Sequence, residues 1–177
     1  TAAGLSSPNR YLWDDTSVQQ DWRFHFLEDP NNLPKSLRAA MRHLSARGDV
    51  LAQIQADEAA RLRPRSKTPL TPAIRPRFAR ASLFGFMLAE IIAHALIQVN
   101  AAASRARRAQ SELPRRLDRI IITLPTATTA QEQAIIRSKA KGALALVWQM
   151  LGLEDGESVI SRMPELIVDW DEASCTQ

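Results

Sequence analysis

Two β-branched runs on either side of a helical segment constrain the fold of this chain most strongly. Arg119–Pro125 is a short run of branched residues closed by proline, which is typical of a buried strand. Glu165–Trp170 has the same character. Strands joined by a crossover helix pair in parallel in the usual right-handed unit. The sequence therefore predicts two neighbouring strands that run in the same direction.

The segment between these strands carries the start and stop signals of a helix. Thr129 and Glu132 have the spacing of a capping box, and Gly152 follows the last apolar residue. We therefore expect a helix from this cap to about Leu151. Its predicted apolar side consists of Ile135, Ile136, Ala140, Ala143, Leu144, Val147, Trp148 and Leu151.

A proline-rich stretch at residues 63–79 is predicted to be a linker or loop, since proline is excluded from helix interiors and central strands. It separates an N-terminal helical portion, residues 1–62, from residues 80–177. The elements expected in the N-terminal portion are a half-buried strand at Trp22–Phe26, a helix led by Leu33 and Pro34 with Leu37, Met41 and Leu44 at helical spacing, and a helix at Val50–Leu62.

A long helix is predicted from about Arg80 to Arg108, with apolar residues nearly all round. Its polar stripe is Glu90, His94 and Gln98, and this interruption favours a buried helix over a membrane span. His94 is open to two interpretations, a ligand or general base and a buried polar contact, and the second is favoured. No membrane partner is expected.

One cysteine, Cys175, excludes an intramolecular disulfide, and no Cys/His cluster has zinc spacing. A reducing, cytoplasmic compartment is the simplest interpretation, and no basic region followed by an apolar stretch indicates a signal peptide. The chain begins without methionine, so we expect an internal piece of a longer protein, whose export is left open.

At three short motifs the chain resembles the actin/Hsp70 superfamily of ATPases. The motifs are Thr123-Leu124-Pro125, Ala130-Gln131-Glu132-Gln133-Ala134 and Glu172-Ala173-Ser174-Cys175-Thr176. Their order resembles the strand, helix start and connecting segment of that superfamily's first lobe, over about half of the chain. The resemblance implies an α+β or α/β fold, mostly helical, with a small sheet packed on the long central helix.

A wider combination of residues also resembles the SrfB family, large bacterial proteins classed as virulence factors. It joins Tyr11-Leu12-Trp13-Asp14 to the segment from Trp170 to Gln177. The resemblance implies an internal fragment of such a protein, whose partners are the remaining segments of the parent chain and a possible protein partner.

The superfamily resemblance implies a role for the connecting segment in a nucleotide cleft. Glu172 stands where the family glutamate helps to hold magnesium-bound water, and Ser174 keeps the hydroxyl of the family threonine. Ala173 replaces the family proline, and Glu132 replaces an arginine of the Hsp70 relay, so chaperone activity is not favoured. As the alternative to this metal role, Glu172 caps a following helix.

The phosphate-binding loops that such a cleft needs are missing from this sequence. No Asp-x-Gly-Thr or Asp-x-Gly-Gly loop, adenosine Gly-Gly turn or Walker loop occurs, and none of the six glycines are adjacent. We therefore expect no cofactor and no ATP hydrolysis in this chain alone. ATP and Mg²⁺ are expected only in the parent protein, and whether the parent is an enzyme is left open.

Charge distribution offers a competing function. Twelve arginines and one lysine lie between Arg61 and Arg119, against three acidic residues. An arginine-rich module would bind an acidic protein or nucleic acid, because clustered arginines release counterions from phosphate. Aromatic residues are sparse there, so solvated loops are favoured and nucleic acid is not expected. The residues of this alternative are Arg105, Arg107, Arg108, Arg115 and Arg116.

Overall fold

The structure is a computed structural model that describes residues 12–15, 42–59, 78–153 and 162–171. The chain divides into two compact units, Thr1–Phe86 and Met87–Gln177. The strand predicted at Trp22–Phe26 lies outside the described residues. So do the start of the helix predicted after Leu33 and all but the last two residues of the predicted linker at 63–79.

The described elements are mainly helical, and they confirm the expected mostly helical α+β class. They are α1 (Leu51–Ala59), α2 (Arg80–Asn100), α3 (Ala102–Ala106), β1 (Arg119–Leu124), α4 (Ala130–Met150) and β2 (Glu165–Asp171).

The first unit contains a tight turn that leads into α1. Leu44 and Val50 form an antiparallel bridge, so Leu44 is not the helical residue that its spacing predicted. Ser45 closes the turn, because its Oγ accepts hydrogen bonds from the amides of Arg47 (3.3 Å) and Asp49 (3.1 Å). The α1 helix begins at Leu51, one residue after the predicted start.

Gly48 lets this turn approach the start of α2 closely. Its φ of +88° lies in the left-handed region, which side chains disfavour. A Cβ atom at this position would lie 2.8 Å from the Cβ of Ser82 and 3.0 Å from Cδ1 of Phe78. The backbone also docks there, since the carbonyl of Arg47 accepts from Ser82 Oγ (2.9 Å) and from the amide of Ala79 (2.8 Å). Both conformation and space therefore require glycine.

Replacing Gly48 by alanine is expected to destabilise the first unit by about 2–5 kcal/mol, since left-handed strain adds to overpacking. Gly152 is the matched control. Its φ is +65°, but a Cβ there meets no atom within 4 Å, so Gly152→Ala should cost only the strain of about 1–2 kcal/mol. Urea unfolding followed by circular dichroism measures both changes. Equal losses would contradict a packing role for Gly48.

The long helix α2 ends at Asn100, eight residues before the predicted end. Ala101 has φ −59° and ψ 140°, which leaves helical geometry, and the short helix α3 follows. The Asn100 side chain explains the break, because its amide donates to the carbonyls of Leu96 (3.0 Å) and of Arg115 (2.8 Å). A contact with a residue 15 positions away therefore competes with continuation of the helix.

The prediction that α2 is buried is wrong for much of its surface. Ala89 and Ile92 are buried, whereas Ile91 and Ile97 are exposed. The polar stripe of Glu90, His94 and Gln98, which was expected to be buried, is exposed as well. Composition gives the average hydropathy of a helix but not which faces find a partner, and this is the reason for the difference.

Among the described residues, α2 is also the one helix with the length and composition to cross a membrane. An 18-residue window has a mean hydropathy of 1.7, and 22% of that window is buried. Helices in the cores of soluble proteins satisfy the same criterion. The length and composition of α2 therefore leave its environment open.

The predicted parallel pair of strands is confirmed. β1 and β2 pair in parallel, with Arg119 opposite Glu165 at one end and Leu124 opposite Asp171 at the other. Ile121 pairs with Ile167 and Thr123 pairs with Trp170, so β2 contains one extra residue between these positions. The two strands form the sheet of the described chain, and the crossover between them contains α4.

Helix α4 supplies most of the core of the second unit. Its buried residues are Ile136, Ala140, Gly142, Ala143, Leu144, Leu146, Val147 and Trp148, which include six of the eight predicted on its apolar side. Leu151 is exposed, and it is the C-cap, not a residue of the helix. The strand β2 packs against α4, with Val168 1% exposed and Trp148 2% exposed. The helix with the main contact to the sheet is thus α4, whereas α2 was expected.

Both ends of α4 have the predicted caps. At the start, the Thr129 side chain accepts from the Glu132 amide (3.3 Å), and the Glu132 carboxylate accepts from the Thr129 amide (2.8 Å). At the end, the amide of Leu153 donates to the carbonyl of Trp148 (2.9 Å), and Gly152 donates to Gln149 (3.1 Å). This is a Schellman arrangement, in which the left-handed glycine terminates the helix.

Removing the hydroxyl of Thr129 should destabilise the second unit. Thr129→Ala is expected to cost about 1 kcal/mol of unfolding free energy, because the Glu132 amide loses its acceptor. Thr129→Ser keeps an oxygen at the same position and should lie within a few tenths of a kcal/mol of the unaltered chain. Urea unfolding measures both. A Thr129→Ser variant as unstable as Thr129→Ala would contradict the capping role.

Candidate functional site

The carboxyl ends of β1 and β2 form one edge of the sheet. Leu124 and Asp171 are register partners there, and the turn that begins at Pro125 leads into α4. Thr128 closes this turn, because its hydroxyl donates to the carbonyl of Pro125 (2.7 Å) and its amide donates to the same atom (3.0 Å). Glu172 follows Asp171 directly in the sequence. Ligands of open parallel sheets bind at this kind of edge.

The amino end of α4 also lies at this edge, and its own side chains occupy it. Oε2 of Glu132 lies 2.8 Å from both the amide and the hydroxyl of Thr129. An open helix start offers amides and a positive dipole to phosphate. Here a carboxylate takes that place and would repel a second anion. The Glu132 carboxylate therefore disfavours phosphate at the first turn of α4.

The amino ends of the strands surround an open, charged cavity of about 280 Å³. Arg119 lies 3.9 Å from Glu165, its register partner, and 3.9 Å from Asp118. The carboxylate of Asp118 also accepts from Arg116 at 3.0 Å. The lining residues are Arg116, Leu117, Asp118, Arg119, Arg162, Met163 and Glu165. These exposed ion pairs are each worth at most about 1 kcal/mol, and they neutralise part of the positive charge.

Two of the five arginines predicted to bind anions donate hydrogen bonds to backbone carbonyls of their own loop. Nη2 of Arg115 donates to the carbonyl of Ala109 at 2.6 Å and to that of Gln110 at 3.4 Å. Nη1 of Arg105 donates to the carbonyl of Glu112 at 3.4 Å. The loop between α3 and β1 is thus held by guanidinium groups that bond to its backbone. Releasing either group to bind an anion would cost these hydrogen bonds.

The other three predicted arginines differ in their surroundings. Arg107 and Arg108 are exposed at the end of α3, and Arg108 contributes a backbone amide bond to Arg105 (3.0 Å). Arg116 lines the cavity at the amino ends of the strands and pairs with Asp118. The structure therefore places the five arginines in one stretch of chain, but in three different environments.

Asn100 connects the end of α2 to the segment that enters β1. Its Oδ1 accepts from the amide of Arg115 and its Nδ2 donates to the carbonyl of the same residue, both at 2.8 Å. The side-chain amide thus donates one hydrogen bond to the backbone of a single residue and accepts one from it, as a paired residue of a neighbouring antiparallel strand does. Asn100 thus fixes the segment that leads to Arg119, the first residue of β1.

Truncating this side chain should loosen the loop. Asn100→Ala leaves the partly buried N–H and C=O of Arg115 without their partners, at a cost of about 1–3 kcal/mol. The exchange rate of the Arg115 amide should then rise about tenfold or more in hydrogen-exchange measurements. Ser104→Ala, an exposed change on α3, is the control and should leave that rate unchanged. Equal rates in both variants would contradict the role of Asn100.

The remaining predicted site residues are Glu172, Ser174 and His94. Glu172 and Ser174 lie outside the described residues, as does Cys175. His94 is exposed on α2. Within residues 12–15, 42–59, 78–153 and 162–171, no cluster of three or more His, Cys, Asp or Glu side chains is arranged to hold a metal ion. Of the two interpretations of His94, the buried contact is thus excluded, and a metal cluster is not formed among those residues.

Sequence reasoning did not single out two parts of this arrangement. The meeting of Arg119 with Glu165 follows from parallel pairing, because the first residues of both strands then lie together. The predicted parallel pairing of the strands could therefore have indicated this contact from the sequence. The pairing of Asn100 with Arg115 carried no comparable signal, since it depends on where the loop after α3 returns.

The described residues define an α+β chain with a parallel strand–helix–strand unit, whose helix is capped at both ends. The family model described as Virulence factor SrfB matches residues 1–177. The chain therefore belongs to the SrfB family of virulence factors. No curated protein and no solved structure shows significant similarity to it. The resemblance to actin/Hsp70-like ATPases finds no support in these comparisons and stays a prediction.

Proposed function

We propose that this chain is a non-catalytic scaffold within a larger SrfB protein and contributes one edge of a nucleotide cleft. The observation that carries the proposal is the parallel register that pairs Leu124 with Asp171. It brings the carboxyl ends of both strands to one edge, where α/β proteins bind ligands. The resemblance to actin/Hsp70-like ATPases assigns a nucleotide to such an edge.

In this proposal the carboxylate of Glu172 accepts hydrogen bonds from the water shell of Mg²⁺. Magnesium gives up its water reluctantly and is usually bound through one or two carboxylates and the phosphates of the substrate. Glu172 follows the last residue of β2, so it belongs to the segment that leaves this edge. The hydroxyl of Ser174 is proposed to accept from the same water or to donate to a phosphate oxygen.

The capped start of α4 supports the proposal that this chain does not itself bind the phosphates. The capping box satisfies the amides of Thr129 and Glu132, and the Glu132 carboxylate would repel a phosphate at the start of the helix. Phosphate binding is therefore assigned to other segments of the parent protein. The same contact also argues against an Hsp70-type relay, since Glu132 serves as a cap at the position where that relay uses an arginine.

The contacts of the arginines do not favour a binding module as a second proposed function. The guanidinium groups of Arg105 and Arg115 donate to loop carbonyls, and Arg116 pairs with a carboxylate. Arg107 and Arg108 are the two exposed members of the set. Binding of an acidic protein stays a prediction. Its test is whether the binding affinity falls steeply as the salt concentration rises.

The full-length protein should bind ATP in a magnesium-dependent manner, and Glu172→Gln should weaken this binding about tenfold or more. The reason is that outer ligands of a metal typically control its affinity by this amount. Isothermal titration calorimetry with and without Mg²⁺ measures the effect. The unaltered protein in the absence of Mg²⁺ gives the reference for the metal-independent part.

Glu165→Gln is the matched control for charge and size. Glu165 begins the same strand at its amino end, far from the proposed cleft edge along β2, and is exposed. This variant should bind MgATP as the unaltered protein does. Absence of magnesium-dependent binding, or equal weakening by both substitutions, would overturn the nucleotide proposal.

A further inference from the structure

The charged cavity at the amino ends of β1 and β2 lies at the opposite end of the strands from the proposed nucleotide edge. Its lining residues all belong to the second unit. The volume of the cavity is about 280 Å³. One water molecule takes up about 30 Å³ in the liquid, so there is room for a small organic molecule. A ligand bound here would be separate from the nucleotide edge.

The charges that line the cavity balance one another except at Arg162. Arg116 lies 3.0 Å from Asp118, and Arg119 lies 3.9 Å from both Asp118 and Glu165. These two arginines and two carboxylates alternate, so their charges cancel. Arg162 also lines the cavity, and it forms no ion pair with a carboxylate of the described residues. The lining therefore carries one excess positive charge, on an exposed guanidinium group.

Two guanidinium groups in the cavity, those of Arg119 and Arg162, have donors for a ligand. A guanidinium carries five N–H donors. The distance of 3.9 Å between Arg119 and each of its two carboxylates exceeds the usual hydrogen-bond length of about 2.7–3.2 Å. These ion pairs therefore leave the donors of Arg119 without short acceptors. Guanidinium groups suit oxyanions, which they can bind through two parallel hydrogen bonds.

The excess charge and the apolar part of the lining indicate which oxyanion fits. A phosphate monoester carries a charge of about −1.5 to −2 at neutral pH, which exceeds the single charge of the cavity, whereas a carboxylate matches it. Met163 is 46% exposed and Leu117 is half-buried, so both can contact a hydrocarbon chain. We propose that the cavity binds a small aliphatic monocarboxylate, which pairs with Arg162 and Arg119 and packs on Met163. This site is independent of the nucleotide proposal.

Titration of the full chain with sodium butyrate, followed by heteronuclear NMR, tests the site against sodium chloride of equal ionic strength. The backbone amides of Arg162 and Met163 should shift and saturate, with a Kd of about 1–10 mM because the site is exposed. Butylammonium, of similar size and opposite charge, should cause no saturating shift. Inorganic phosphate should bind about fivefold more weakly than butyrate or worse, because it has no hydrocarbon part.

Substitutions at the cavity distinguish this site from general attraction to a basic chain. Arg162→Gln removes the unpaired charge and should raise the Kd for butyrate about fivefold or more, measured at the Met163 amide. Met163→Ala should raise it about threefold through lost hydrocarbon contact. Arg107→Gln is the matched control. It removes the same charge from an exposed arginine at the end of α3, outside the cavity lining, and should change the Kd less than about twofold.

All three substituted side chains are exposed, so circular dichroism should show an intact fold in each variant. The proposal would be overturned by the absence of saturating shifts at Arg162 and Met163, or by equal weakening in the two arginine variants. An unchanged Kd in Met163→Ala, or phosphate that binds as tightly as butyrate, would also overturn it.

Discussion

The parallel hydrogen bonding of β1 with β2 is the constraint on which the second unit depends. Strands that run in the same direction need a long connection, and the 21-residue helix α4 provides it. The helix in turn covers β2, with Trp148 and Val168 among the most deeply buried side chains. The register then decides which residues meet at each edge: Leu124 with Asp171, and Arg119 with Glu165. Both the proposed cleft edge and the charged cavity follow from that pairing.

Hydrogen bonds to backbone carbonyls explain why a basic sequence does not by itself indicate a binding surface. The loop between α3 and β1 has few apolar side chains to bury, and Arg105 and Arg115 hold it together through their guanidinium groups. Asn100 adds two further bonds to the same segment. A guanidinium carries five donors in a fixed arrangement, so it suits the stapling of an irregular loop as well as the recognition of phosphate.

The strand–helix–strand unit could be predicted closely because its signals are local. The cap formed by Thr129 and Glu132, the left-handed Gly152 and the branched strand residues each act within a few positions, and the structure contains all of them. Predictions for α2 were less accurate. Its end at Asn100 depends on a residue 15 positions away, and its exposed face depends on which partners the fold supplies. The residues proposed to hold magnesium water, Glu172 and Ser174, lie outside the described part of the chain.

The sequence by itself determined where the helix α4 and both strands lie, because period, branching and caps are read from neighbouring residues. It also indicated their parallel direction, since two strands on either side of a crossover helix usually pair in parallel. Tertiary structure alone decided which side chains form contacts within the chain and which stay exposed. The contact of Asn100 with Arg115 and the exposure of Ile97 both depend on segments distant in sequence being brought together or left apart. No local pattern encodes that outcome.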